Sequence, residues 1–268
     1  MLTKTRRLIP VPLAGALLVP LAGPATASEP VTSEALAQAE LDLVTLTNSK
    51  RAARDLVALR IDPDLMRIAR DRAQVMAAND VMSHTEPNGQ KVFDRMRADG
   101  LTWYGAGEII AWNNYPMEYS PAEAIRAWMA SPGHKAIMIS TGYNYVGYGA
   151  AESASGKMYY AGLFAKEPDE TGAWAKFRTT YKTVLDAHRT RVTIRWKGAD
   201  TRLQVLTSGL RYVQVERRIL GGEYWTGGIT TATRQSITWA RGQSYEVRIR
   251  ALDRAGNWGG WRSIRINL

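Results

Sequence analysis

Three side chains in this sequence could do chemistry together: His84, Glu108 and His134. Two imidazoles and a carboxylate can hold a divalent ion such as zinc with an open coordination position, and His84 and His134 would then be the metal ligands. Without a metal, the same trio could bind a polar headgroup. It could also act as base and acid, with Glu108, His84 and His134 as the catalytic residues. The three lie 24 and 26 positions apart, so no local spacing rule makes them neighbours, and an HExxH pair is absent. The competing reading is that each satisfies backbone hydrogen bonds in its own turn. The chain has three histidines and no cysteine, which excludes disulfides, thiol nucleophiles and thiolate zinc sites. Ser83, beside His84, lacks a G-x-S-x-G setting, and there is no G-x-x-x-x-G-K-[ST] loop to support nucleotide chemistry.

The elements that must position these groups are legible from local patterns. Ser131 suits a helix cap and Pro132 the first helical position, which puts His134 in the first turn, where the helix dipole favours the neutral imidazole. His84 follows a helix that opens at Asp62-Pro63-Asp64, carries Leu65, Ile68, Ala69, Val75 and Met76 on one side, and ends around Asn79-Asp80. Glu86-Pro87-Asn88-Gly89 then reads as a turn. Glu108 sits in 101–114, an aromatic and isoleucine-rich stretch that reads as a strand. Further helices are expected from Ser33 and from Ser120-Pro121-Ala122-Glu123, which has capping-box spacing. Strands at 143–151 and 158–165 would be joined through Ser153-Ala154-Ser155-Gly156 as a hairpin. Asn48 and Arg51 read as structural hydrogen-bonders, and Tyr143, Tyr145, Tyr148, Trp112 and Trp128 as core. Gly147 and Gly149 mark close backbone packing in a strand. The whole is an α+β domain over 33–165.

On either side the composition changes. Lys4, Arg6 and Arg7, an apolar run from Leu8 to Leu21 and Ala25-Thr26-Ala27 read as a signal peptide over 1–27. No later stretch has eighteen apolar residues in a row, so no transmembrane anchor is expected after cleavage. A secreted chain without cysteine suits a bacterial export product, extracellular and free or associated with the cell wall. Residues 166–188 read as a polar linker with a weakly helical middle at Trp174, Phe177 and Tyr181. From 189 the chain becomes all-β, with strands at 191–196, 210–217, 235–239, 245–251 and 263–268. Residues 188–268 hold fourteen arginines and one lysine against five acids, a local net charge of +10, whereas 28–187 carries −3. That imbalance suits an anionic cell-wall or surface polymer, or serves only as a solvated, charge-solubilised face.

The order Asn48-x-x-Arg51, Leu65 with Ala69, Ser83-His84-x-x-Pro87-x-Gly89, Gly107-Glu108 and Trp128-Met129-x-Ser131-Pro132-Gly133-His134 resembles the bacterial branch of the CAP superfamily. These are SCP-like domains related to cysteine-rich secretory proteins, antigen 5 and pathogenesis-related proteins. The resemblance implies a CAP-type α-β-α sandwich and a cleft lined by two histidines and acidic residues, sometimes with zinc. By position these are His84, Glu108 and His134. Ile109 stands where the family usually has Asn, and Ala130-Ser131 stand where eukaryotic members have a second cleft glutamate. The C-terminal part, through Trp196, Tyr212, Tyr245 and Ala251-x-Asp253-x-Ala255-Gly256-Asn257-x-Gly259-x-Trp261, resembles fibronectin type III or immunoglobulin-like sandwiches. The expected protein is a secreted, non-catalytic binding protein whose cleft takes a small apolar or polar-headed ligand. The alternative is a metal-assisted hydrolase of peptide or cell-wall polymers.

Overall fold

A computed structural model describes residues 31–268 apart from Tyr224; the expected leader, 1–27, lies outside the described residues. The chain opens with helix α1 (Ser33–Ala52), a two-residue strand β1 (Arg60–Ile61) and helix α2 (Pro63–Asn79). The start of α2 is built as its sequence demands: Pro63 takes the first turn and the Asp62 carboxylate accepts from the Leu65 N–H at 2.8 Å. Asp80 closes the helix in the left-handed region, with φ 52°. There follow α3 (Val92–Ala98), β2 (Gly105–Asn113), α4 (Ser120–Ala130), α5 (Pro132–Met138), β3 (Tyr145–Glu152) and β4 (Met158–Lys166).

These strands make one sheet in the order β1-β3-β4-β2, parallel between β1 and β3 and antiparallel elsewhere, so β2 is an edge strand. The side-chain alternation of β4 divides the core. Met158, Tyr160 and Phe164 face the layer of α1, α4 and α5, while Tyr159, Ala161, Leu163 and Ala165 face α2 and α3. The result is a three-layered arrangement of helices on both faces of a mixed sheet. Gly147 and Gly149 allow α2 to lie directly on β3. A Cβ at Gly149 would stand 2.1 Å from the backbone carbon of Ala69, and one at Gly147 2.3 Å from the Met66 nitrogen.

Three local expectations change. Ser120 does not cap α4; it lies inside the first turn, and its hydroxyl is held by Asn113 and by the buried Tyr160 hydroxyl, both at 2.6 Å. Trp112 is exposed rather than core, with Lys157 over its ring. The segment read as a weakly helical linker contains strands β5 (Trp174–Phe177) and β6 (Tyr181–Val184). The aromatics at 174, 177 and 181 mimic a helical stripe. The burial follows period two instead, with Ala173, Ala175 and Phe177 on the core side.

The C-terminal part adds β7 (Arg189–Ala199), β8 (Leu210–Ile219), β9 (Thr226–Thr230), β10 (Arg234–Ala240), β11 (Ser244–Asp253) and β12 (Arg262–Asn267). They form two four-stranded sheets, β10-β7-β5 with β6 on the remaining length of β7, and β12-β11-β8-β9. Val192, Ile194 and Trp196 of the first sheet share a core with Val213, Val215, Val247 and Ile249 of the second. The two parts of the chain are not separate beads. Leu203, 2% exposed, joins the core beneath α2, and the Gln204 side chain accepts from the Val57 N–H at 2.8 Å. Asn144 exchanges two hydrogen bonds with the Glu167 backbone, at 2.8 and 2.9 Å.

Candidate functional site

The candidate site forms where α2, the loop after it and the edge strand β2 meet. Glu108 projects from β2 towards α2, where Arg72 sits on the apolar stripe of the helix, one turn beyond Ile68 and Ala69 and one before Met76. Both side chains are buried, and Arg72 Nε donates to Glu108 Oε1 at 2.9 Å. The second carboxylate oxygen, Oε2, lies 2.6 Å from His84 Nδ1. Arg72 also donates to the Ser83 carbonyl, which fixes the loop carrying His84. The buried carboxylate is therefore matched by one guanidinium and orients one imidazole, an arrangement that avoids the cost of an unpaired buried charge.

The His84 side chain is 54% exposed although its Nδ1 is held from below. When Nδ1 carries the proton towards Glu108, the neutral ring presents Nε2 as an acceptor or base. His134 lies in the first turn of α5, as its Ser-Pro-Gly context predicts, although Ser131 makes no side-chain cap bond. Burial first, and the neighbouring His84 second, hold its imidazole below the usual histidine value, so it is neutral at neutral pH. The structure thus brings His84 into contact with Glu108 and places His134 within electrostatic reach of His84. The three donor atoms are not all within 4.8 Å of one another; among the described residues only Asp169, Asp200 and Asp253 meet that spacing. In the arrangement seen, the Glu108 carboxylate is bonded to Arg72 and His84.

The buried Arg51 holds the end of α5. Arg51 donates through Nε to the Val57 carbonyl at 3.0 Å and through Nη1 to the carbonyls of Met138 and Ser140 at 3.0 and 2.8 Å. It thereby satisfies backbone oxygens at the end of the helix that carries His134. Asn48 exchanges two hydrogen bonds with the Leu59 backbone. Both act as the structural hydrogen-bonders expected. Trp128 ties α4 to the site strand, its indole N–H donating to the Ile110 carbonyl at 2.8 Å. Gly107 lets α5 approach β2: a Cβ there would stand 3.0 Å from the Tyr143 hydroxyl and 3.2 Å from Ile137. Ile109, at the position of the missing Asn, is fully buried in the core beneath α1, α4 and α5.

Arg72 and Glu86 are site residues that motif reading missed. The signal for Arg72 was a charged residue within the apolar stripe of α2, at the i+3/i+4 spacing from Ala69 and Ile68. Beside the dyad lies a cavity of about 260 Å³, lined by the apolar side chains of Val75, Met76 and Val81 and the polar ones of Arg72, Ser83, Thr85 and Glu86. Glu86 Oε1 is 3.5 Å from Arg72 Nη1, an ion pair too long and poorly aligned for a hydrogen bond, and this buried oxygen has no other partner. A second cavity, of about 350 Å³, lies between α4 and α5 and is lined by Met129, Pro132, Lys135 and Ile139.

Residues 44–164 match the family described as CAP, the cysteine-rich secretory protein family. The uncharacterised protein YkwD of Bacillus subtilis is 32% identical over 136 residues, 49% of this chain and 51% of that protein. The uncharacterised membrane protein YlbC of the same organism is 28% identical over 127 residues, 47% of this chain and 34% of that protein. The chain therefore spans about half the length of the first relative and a third of the second. Among solved structures, an outer surface protein of Borrelia burgdorferi is similar at 21% identity and a TM-score of 0.44, covering 52% of this chain and 98% of that one. An extracellular SCP-domain protein of Bacillus anthracis is similar at 23% identity and a TM-score of 0.45, covering 52% and 45%.

Proposed function

We propose that this is a secreted bacterial protein whose CAP domain binds a small ligand with an apolar body and a polar head, and whose basic C-terminal module attaches it to an anionic cell-wall or surface polymer. The observation that carries the ligand reading is the half-exposed His84 imidazole, bonded to the buried Glu108–Arg72 pair, with Arg72 also lining a neighbouring cavity of mixed apolar and polar side chains. Such an imidazole is pre-oriented: its exposed nitrogen can accept from a hydroxyl without first losing rotational freedom. Glu86, with a buried oxygen short of a partner, offers a second acceptor for an ammonium or hydroxyl head. The leader-like residues 1–27 support export, and among the described residues no helix is long and apolar enough to cross a membrane. The fourteen arginines after residue 188 support attachment through charge, and the pair of sheets there is compatible with an immunoglobulin-like or fibronectin-like adhesive module.

Calorimetric titration of the mature chain with a lysophospholipid, a dispersed sterol and zinc chloride tests the cleft. Saturable heat with a lipid that disappears in His84→Ala is the expected result, and silence towards all three probes removes the reading. Zinc heat that requires both His84 and His134 would mean that the two imidazoles bind an ion, His84 through its exposed Nε2 while Nδ1 stays on Glu108.

A hydrolytic reading draws on one specific observation, the 2.6 Å contact between His84 Nδ1 and Glu108, since a carboxylate-held imidazole is a competent general base. It predicts turnover of a peptide or cell-wall polymer that is lost in both His84→Ala and Glu108→Gln, with the fold retained in each.

A further inference from the structure

We propose that the open side of the C-terminal sandwich, between the edge strands β9 and β10, is a binding site for an oxyanion, a carboxylate or phosphate group borne by a sugar-sized unit. A cavity of about 320 Å³ lies there, lined by Trp196, Val215, Arg217, Gly228, Thr230 and Gln235 among others. Trp196 on β7 is 3% exposed, yet its indole N–H has no hydrogen-bond partner. A buried donor left without an acceptor is costly, and the cavity it lines is where an acceptor can enter.

Arg217 supplies the charge. On β8 the residues Val213, Val215 and Arg217 alternate onto the inner face, so this arginine is directed between the sheets and is only partly exposed. Among the described residues it has no ion pair, whereas Arg218 and Arg248 on the outer faces are matched by Glu246 and Glu216 at 2.7 and 2.6 Å. No carboxylate lines the cavity. Two arginines, Arg217 and Arg234, the Trp196 indole, the Thr230 hydroxyl and the Gln235 amide therefore line one cavity without a competing anion, which selects an acceptor-rich, negatively charged guest. Gly228 leaves the room: it pairs with Val215, so its missing side chain would point between the sheets, and a Cβ there would meet nothing within 4 Å. The volume suits a charged group with an attached ring rather than a bare ion.

This site deepens the attachment reading, on which it rests for the polymer that would carry the oxyanion; the chemistry of the cavity stands apart from it. The test uses the mature chain with labelled tryptophan, the indole resonance of Trp196 being assigned by its loss in Trp196→Phe. Inorganic phosphate and glucuronate are titrated separately against sodium chloride at matched ionic strength. The expected result is a saturable shift of the Trp196 indole N–H with one of the two oxyanions and none with chloride. Arg217→Gln should weaken that binding about tenfold or more. Gly228→Leu should abolish it by filling the cavity while the remaining indole signals stay in place. Response to phosphate alone assigns a phosphate-bearing source, and response to glucuronate alone a carboxylate-bearing one. An unmoved Trp196 resonance, an equal response to chloride, or undiminished binding in Arg217→Gln overturns the site. Adsorption to an anionic polymer that persists unchanged in Gly228→Leu also overturns it while leaving charge-based attachment intact; a saturable Trp196 shift without adsorption removes attachment and leaves the site.

Discussion

Replacing Glu167 by Gln should make the protein less sensitive to alkaline pH. Glu167 follows β4 at the junction of the two parts of the chain, 5% exposed, with Oε1 unpartnered and its backbone held by Asn144. Burial first, and the nearby Asp62 charge second, push its carboxyl up to about 8 from an ordinary value of 4.5. At neutral pH the folded protein thus keeps a proton that the unfolded chain has released, and stability falls as pH rises from the ordinary value to the raised one. At about 1.4 kcal/mol per pH unit, the loss accumulated by pH 7 is about 3 kcal/mol. Glutamine is neutral at every pH and removes this loss. Urea unfolding of both proteins at pH 5, 6, 7 and 8 should give similar stabilities at pH 5 and a gap in favour of Glu167→Gln that widens to about 3 kcal/mol near neutrality. Parallel stability curves for the two proteins would show that Glu167 is ionised in the fold and would refute the argument.

Arg72→Met should cost about 3–5 kcal/mol in the same assay, because it leaves Glu108 buried without its cation, and Arg72→Met with Glu108→Leu should recover much of that. Arg51→Met removes three bonds from a buried guanidinium to main-chain carbonyls; a loss of about 3 kcal/mol or more is expected, together with a shifted His134 ring resonance, since the end of α5 is released. Because His134 is held below the usual histidine value, its contribution is complete above pH 6.5 and is lost as pH falls from there towards its lowered value; His134→Gln should flatten that limb of the stability curve. Gly149→Ala should be strongly destabilising, since the added methyl meets the Ala69 backbone, and circular dichroism melting reads it directly.

The order of helices and strands up to residue 166 is legible in local chemistry. Asp62-Pro63 starts a helix because a carboxylate caps it and proline's missing N–H costs nothing there. The alternation in 245–251 and the Asn48/Arg51 pair likewise carry their roles in residue type and spacing. The segment 166–188 departs from its helical reading because three aromatics at helical spacing mask the alternation of Ala173, Ala175 and Phe177.

Sequence alone determined which residue types were available for chemistry, since with no cysteine and three histidines the choices are few. It also determined an arginine-rich C-terminal part. Tertiary structure alone decided that Glu108 faces a buried Arg72 and grips His84, that His134 stays neutral nearby, and that Arg217 and the Trp196 indole share a cavity. The physical reason is that these pairings cross tens of residues of chain. Period and capping specify only which face a side chain takes on its own helix or strand; the packing of one element on another decides what that face meets.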